Sequence, residues 1–315
     1  MKVLILLIIL TFLNKTGHSE NLTTAAEFLT WGIGGRASAM AEALSAIPSE
    51  LSLFYNPAGL AFLKHKKILL MHTPLYRQIG IKDMYHEYIG YTQRNLGLGI
   101  IYTLLGKHKN QIQEAVYLPT EDYKKFTWID YALLLGLSEK LNKKLGLGVC
   151  LKLVGSTIKN ILKENNYKEY EDIKTFTLAL DAGLLYKLKN YLNVAIGISN
   201  LGGDFYYKNR NLAEVLPYEI KLGLAYIYQE SAKGITFAAE LHRSIEEIFI
   251  YNIGLEVNIE KLFLRAGYYD KGGDLSGLSF GAGVNFSRFN IDFAYTNIPG
   301  GELSKNLRSS ISINF

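Results

Sequence analysis

Hydrophobic and polar residues alternate along most of this chain. In the last segment Leu307, Ser309, Ile311, Ile313 and Phe315 share one face, and Arg308, Ser310, Ser312 and Asn314 share the other. Leu278, Phe280, Ala282, Val284 and Phe286 alternate with Ser279, Gly281, Gly283 and Asn285 in the same way. A period of two marks strands whose two faces meet different surroundings. Fourteen such segments can be marked: 66–74, 84–94, 96–105, 128–139, 143–155, 175–187, 190–200, 217–228, 233–243, 248–258, 261–270, 276–286, 289–297 and 306–315. Most have nine to thirteen residues, the length a tilted strand needs to cross a bilayer. Connections after even-numbered segments are short (Asn95, Lys140–Asn142, Leu188–Lys189, Gln229–Ala232, Ile259–Glu260, Ser287–Arg288). Those after odd-numbered segments are mostly longer, above all Gly106–Thr127, Ser156–Lys174 and Leu201–Leu216. A soluble sandwich has no reason to sort its loops by parity. Short turns at one rim, long loops at the other and an even strand number are the pattern of an outer-membrane barrel. The predicted fold is therefore all-β: a transmembrane antiparallel β-barrel of about 14 strands, in a bacterial outer membrane with both termini periplasmic.

One stretch breaks the alternation. Gly32–Phe62 is dominated in its first half by Gly, Ala and Ser, with Met40, Leu44 and Ile47 at helical spacing. That composition predicts a thin helix or coil ended by Pro48, followed by a turn at Asn56-Pro57-Ala58-Gly59 in which Pro fixes φ and Gly permits a positive one. A fourteen-strand barrel is too wide for its own side chains to fill, so the stretch reads as a hatch or plug in the lumen. The domain reading is 1–19 signal peptide, 20–63 N-terminal hatch segment and 64–315 transmembrane β-barrel. The leader rests on Lys2, the apolar run Val3–Leu13, and the small residues Gly17 and Ser19 before the cut. Alternation also points eight charges inward: Lys152, Lys221, Arg265 and Arg308, balanced by Asp181, Glu240, Glu256 and Asp292. They read as a lumen network bracing plug and wall, with a selectivity role as the alternative.

Composition narrows the function classes. Hydrophobic residues make up 49% of the chain, with 22 Tyr, which is unusual for a soluble secreted protein. The single cysteine, Cys150, excludes an intrachain disulfide. The net charge of +5 is spread over Lys-rich loops without a basic stripe, so nucleic acid is not an expected partner. Gly32–Ala37 fits a dinucleotide fingerprint, but no βαβ unit surrounds it. The six histidines lack metal spacing, and no Gly-x-Ser-x-Gly occurs; His242 and Glu240 fall on one strand face. No enzyme activity, cofactor or metal is expected. The aromatic clusters Tyr85–Tyr91 and Tyr167–Tyr170 read as interface girdles, and Phe205–Tyr207 as a girdle or a ligand-facing loop.

The text GGRASAMAEALSAI (Gly34–Ile47), followed by FYNPAGLAFL (Phe54–Leu63), resembles the N-terminal signature of PorV/PorQ-type proteins, within the FadL-like group of outer-membrane barrels. Gly35, Arg36, Met40, Ala43, Asn56, Pro57, Ala58, Gly59 and Leu60 carry the match, and Leu262–Asp270 and Leu278–Phe286 are similar to strands of that group. The resemblance implies a fourteen-stranded barrel with an internal hatch, and a passive channel or binding protein for small hydrophobic molecules such as fatty acids. The alternative it implies is a PorV-like component of type IX protein secretion or surface attachment. Hatch and gating residues would be Gly32, Gly34, Gly35, Arg36, Met40, Asn56, Pro57 and Gly59. The C-terminal Phe315 resembles the signal read by barrel-insertion machinery. Partners would be outer-membrane lipid, a hydrophobic small molecule, that machinery and, on the alternative, secretion-system proteins. The chain is shorter than a typical fatty-acid channel. Glycine weakens strand pairing, so the Gly-rich wall strands are expected sites for a lateral gap.

Overall fold

A computed structural model describes residues 25–77, 83–105, 123–164, 167–207, 212–244, 249–270, 276–297 and 306–315. The signal-peptide reading of residues 1–19 and most of the long connection 106–127 lie outside the described residues. The strands are β1 (Lys67–Pro74), β2 (Met84–Gln93), β3 (Leu96–Leu105), β4 (Tyr123–Lys140), β5 (Leu145–Glu164), β6 (Tyr167–Lys189), β7 (Leu192–Gly202), β8 (Phe205–Tyr207), β9 (Leu212–Glu214), β10 (Glu219–Glu230), β11 (Lys233–Ser244), β12 (Phe249–Ile259), β13 (Leu262–Asp270), β14 (Ser276–Phe286), β15 (Phe289–Asn297) and β16 (Asn306–Asn314). All but β8 and β9 join one closed barrel of fourteen strands, in which β1 pairs with β16 to complete the ring. Every pairing in it is antiparallel and joins strands consecutive around the ring.

The wall alternates as the sequence does. Leu133, Ile196, Ile253 and Phe280 point outward and are exposed, while their neighbours Ala132, Ala195, Asn252 and Ser279 are buried inward. Closure matters because hydrocarbon offers no partner to an open strand edge. The tight turns of one rim place Asn95, Ser231, Glu260 and Ser287 at φ between 51° and 70°, the left-handed geometry that two-residue hairpins demand. Tyr191, Tyr226 and Tyr228 ring the wall near this rim, and Tyr251, Tyr268 and Tyr295 lie nearer the other, as interface aromatics do.

Two connections differ from the expected loops. Residues 156–164 and 167–174 extend β5 and β6, whose pairing runs from Leu145↔Tyr186 to Glu164↔Tyr167. Apolar alternation reports a strand's surroundings, whereas backbone pairing continues where both faces are polar. Within 201–216, β8 and β9 form a separate two-stranded ribbon. There Phe205 is fully buried, while Tyr206 is exposed.

Replacing an outward residue in mid-strand tests the lipid-facing assignment. Ile253→Arg is expected to destabilise the barrel by roughly 2–4 kcal/mol, and Ile253→Leu to change it by less than about 1.5 kcal/mol. Reversible urea unfolding in lipid vesicles reads both.

Candidate functional site

The N-terminal segment lies inside the barrel. From Ala25 to Ala61 nearly every residue is buried, and the segment contacts inward faces of β3 to β6 on one side and β13 to β16 on the other. Gly34 turns the chain with φ 89° and donates its N–H to Met71 Sδ at 2.9 Å. Gly35 donates to Ser310 Oγ at 3.0 Å, and a Cβ there would lie 2.8 Å from the Asp292 carbonyl oxygen. The helix that begins at Gly35 is shorter than expected. It ends at Ala39, because Ala41 and Glu42 adopt positive φ and Glu42 N–H turns back onto the Ala37 carbonyl at 2.7 Å. Pro48 therefore ends nothing. Met40 is fully buried with its backbone against Gly254, and Gly32 sits between Glu42 and Tyr55.

The Asn56–Gly59 turn opens a 3-10 helix, Pro57–Phe62, capped by the Asn56 side chain, which accepts from Ala58 N at 3.1 Å. Pro at the first position suits a helix start. The Asn56 amide donates to the Ser45 carbonyl at 2.9 Å and to the Leu184 carbonyl of β6 at 3.2 Å. Gly59 is not needed for a positive φ. A side chain there would collide with Ser52, so its role is close approach.

All eight predicted lumen charges are buried. Arg36 joins Glu256 at 2.7 Å, Glu256 joins Arg265 at 2.6 Å, and Arg265 joins Asp292 at 2.8 Å, a chain of ions that ties the segment to β12, β13 and β15. Lys152 pairs with Asp181 at 2.8 Å and donates to Asn200 Oδ1 at 2.6 Å. Arg308 donates to Ser38 Oγ and Thr73 Oγ1 and lies 3.6 Å from Glu42. Glu240 accepts from the Ser45 N–H at 2.8 Å and pairs with His242 at 2.8 Å. Lys221 pairs not with one of the predicted four anions but with Glu219, at 3.0 Å. Glu219 shares the inward face of β10 with Lys221, so the same alternation could have found it. Glu42 and Glu50 were missed because no periodicity governs an irregular segment.

Several wall glycines mark where this segment abuts. A Cβ at Gly148 would strike the Pro57–Ala58 backbone, one at Gly223 would strike Ser45, and one at Gly183 would strike Asn56. Leu53 and Leu60 settle on Gly97 and Gly136 in the same way. These glycines are contact surfaces for the segment. The remaining flank is apolar: Trp31, Leu53 and Phe54 share one buried cluster with Met71, Tyr88, Ile101 and Leu134. Phe315 ends the chain exposed at the short-turn rim, its N–H bonded to the Lys66 carbonyl at 3.0 Å.

Glu50 is buried, and Lys67 approaches it at 3.0 Å. Burial opposes its charge, but Lys67 and then Arg36 outweigh that and hold its pKa below the ordinary 4.5. A carboxylate whose folded pKa is lowered stabilises fully above its unfolded value and loses that contribution as pH falls through the folded one. The stability difference between wild type and Glu50→Gln is thus expected to be constant from pH 7 down to about 4.5 and to vanish below it, read from urea midpoints against pH. Gly148→Val is expected to cost roughly 1–3 kcal/mol by overpacking. Gly197→Ala, whose Cβ would meet only the Ala182 carbonyl at 3.5 Å, is expected to stay within about 0.5 kcal/mol.

No known family model matches the sequence, and no curated protein matches it. Solved structures do. The P. putida toluene transporter TodX aligns with a TM-score of 0.60 at 14% identity, covering 90% of this chain and 99% of that one. The Ralstonia pickettii toluene transporter TbuX gives 0.59 at 11% identity, covering 89% and 96%. A Pseudomonas aeruginosa FadL homologue gives 0.53 at 11%, covering 95% and 99%. At such identities the likeness concerns the fold: this chain has the closed fourteen-strand architecture of FadL-type outer-membrane barrels.

Proposed function

We propose that the chain is a passive outer-membrane channel for small, mainly hydrophobic molecules. In this reading residues 25–63 act as the hatch, and the short-turn rim and both ends of the chain face the periplasm. The observation that carries the reading is the apolar flank of a filled bore. A porin that passes polar solutes keeps a water-filled polar lumen. Here Trp31, Leu53 and Phe54 belong to one buried apolar cluster with Met71, Tyr88 and Ile101. A monoaromatic or an acyl chain sliding between those surfaces would exchange one apolar contact for another. The names of TodX and TbuX as toluene transporters support the same class of cargo. Phe315, exposed at the rim, is the insertion signal in this reading. The PorV-like secretion role that the sequence motif implies gains nothing from the motif's placement: Asn56, Pro57 and Gly59 are buried and occupied in folding.

Uptake by liposomes tests the channel, and a tether tests the hatch. Toluene or a labelled long-chain fatty acid is expected to enter vesicles faster when the purified barrel is present, and equal rates would overturn the proposal. A Cβ built on Gly223 lies 3.4 Å from Ser45 Cβ, close to the spacing a disulfide needs. The double variant Ser45→Cys, Gly223→Cys is expected to stop uptake when oxidised and to regain it on reduction. Unchanged uptake in the oxidised form would mean that the segment need not move.

A further inference from the structure

Two hydroxyls face the apolar flank of the bore without a hydrogen bond. Tyr88 is 2% exposed and Thr92 1% exposed, and neither Tyr88 Oη nor Thr92 Oγ1 has a partner among the described residues. Both lie on the buried, inward face of β2, with Gly90 between them. The Tyr88 hydroxyl reaches over glycine: a Cβ on Gly90 would strike Oη, and one on Gly99 would lie 3.1 Å from Oη and 3.1 Å from Leu53 Cδ2. Gly97 stands opposite Thr92 in the β2–β3 register. A Cβ there would lie 2.9 Å from Leu53 Cδ1 and 3.2 Å from Leu60 Cδ1. Both hydroxyls thus border the bare backbone against which the inner segment rests Leu53 and Leu60. Ser138 Oγ, two residues beyond Gly136 on β4, is likewise buried without a partner.

A buried hydroxyl that bonds to nothing costs its desolvation and returns nothing to folding. Phe and Val would fill the same space at these two positions without that cost. Elsewhere on the inner wall hydroxyls are employed in holding the segment: Ser310 Oγ accepts from Gly35 N–H at 3.0 Å, and Ser279 Oγ donates to the Ala39 carbonyl at 3.1 Å. Tyr88 and Thr92 hold no part of it, so their donors and acceptors are left for an occupant of the seam. The cation opposite Thr92 in the β1–β2 register is Lys67, and Glu50 already holds its ammonium at 3.0 Å. A ligand carboxylate would compete with Glu50 for it, whereas a neutral hydroxyl has no such competitor. We propose that Tyr88 and Thr92 bind the hydroxyl of a neutral amphiphile, a phenol or an alcohol, whose apolar body displaces Leu53 from the glycines of the wall. The inference rests on the channel reading for its class of cargo and narrows that class to molecules with an uncharged hydrogen-bonding end.

Titration calorimetry of the purified full-length barrel in detergent, with p-cresol and toluene as probes, tests this. Wild type and variants are compared in the same micelles, so partitioning into detergent cancels. Tyr88→Phe is expected to weaken p-cresol binding about threefold to tenfold, and Thr92→Val to weaken it further by a similar factor, the worth of one hydrogen bond each. Toluene, which has nothing to offer a hydroxyl, is expected to bind wild type and both variants within about twofold. The urea midpoint of Tyr88→Phe is expected to stay level or rise, because no bond of the folded protein is lost. Ser279→Ala, which removes a bond to the segment, is expected to lower the midpoint and leave the p-cresol affinity unchanged. No binding of p-cresol by wild type, equal p-cresol affinities in wild type and the double variant, or equal losses for the two probes would overturn the proposal. So would a lowered midpoint for Tyr88→Phe, because the hydroxyl would then be serving the fold. Flux is read apart from binding. Tyr88-dependent binding without liposome uptake would overturn the channel and leave this site standing, and toluene uptake without Tyr88-dependent binding would do the reverse.

Discussion

Hydrocarbon accepts no unpaired backbone group, and the rest of the structure follows from that constraint. Strands in such a solvent must close into a ring, and fourteen of them enclose a bore that wall side chains cannot fill. The chain fills it with its own N-terminal segment. That segment is mostly irregular, so its peptide groups lack ladder partners and must find them among side chains. Ser310, Glu240, Asn193 and Asn56 provide several of these bonds. The polarity of the inner wall is thus a consequence of what the wall has to hold.

The buried ions belong to the same account. Taking a charge from water costs several kcal/mol, and a partner of good geometry roughly offsets it. Arg36, Glu256, Arg265 and Asp292 achieve this as a chain instead of as separate pairs. Such a chain adds little net stability, but it makes misplacement expensive, because a shifted segment would leave a charge buried and alone. It therefore specifies where the segment sits more than how tightly the barrel holds.

The sequence carried the wall well. Alternation located the fourteen barrel strands and the inward side of Lys152, Asp181, Arg265 and Arg308, because a lipid face and a lumen face impose a strict period of two. It was blind where that period is absent. The left-handed turn at Ala41 and Glu42 has no glycine to announce it, so a longer helix was expected than the one that ends at Ala39. Partner choice was equally hidden: Lys221 selects Glu219 on its own strand, and Glu42 reaches Arg308 across the bore. Lys140 and Lys187 are far apart along the chain, and only the Phe62 ring brings their ammonium groups together.

The bore has two unlike sides. Toward β10–β16 the inner segment is fastened by directional bonds, including Arg36 to Glu256, Ser45 to Glu240 and Ser38 to Arg308. Toward β3 and β4 it leans mainly by shape, through Leu53 and Leu60 on glycine, with the Asn95 N–H on the Leu60 carbonyl at 3.2 Å. Directional bonds break abruptly, while dispersion fades gradually as surfaces part. Parting the segment from the β3–β4 wall would uncover mainly apolar side chains, whereas parting it from the charged strands would leave buried ions without partners.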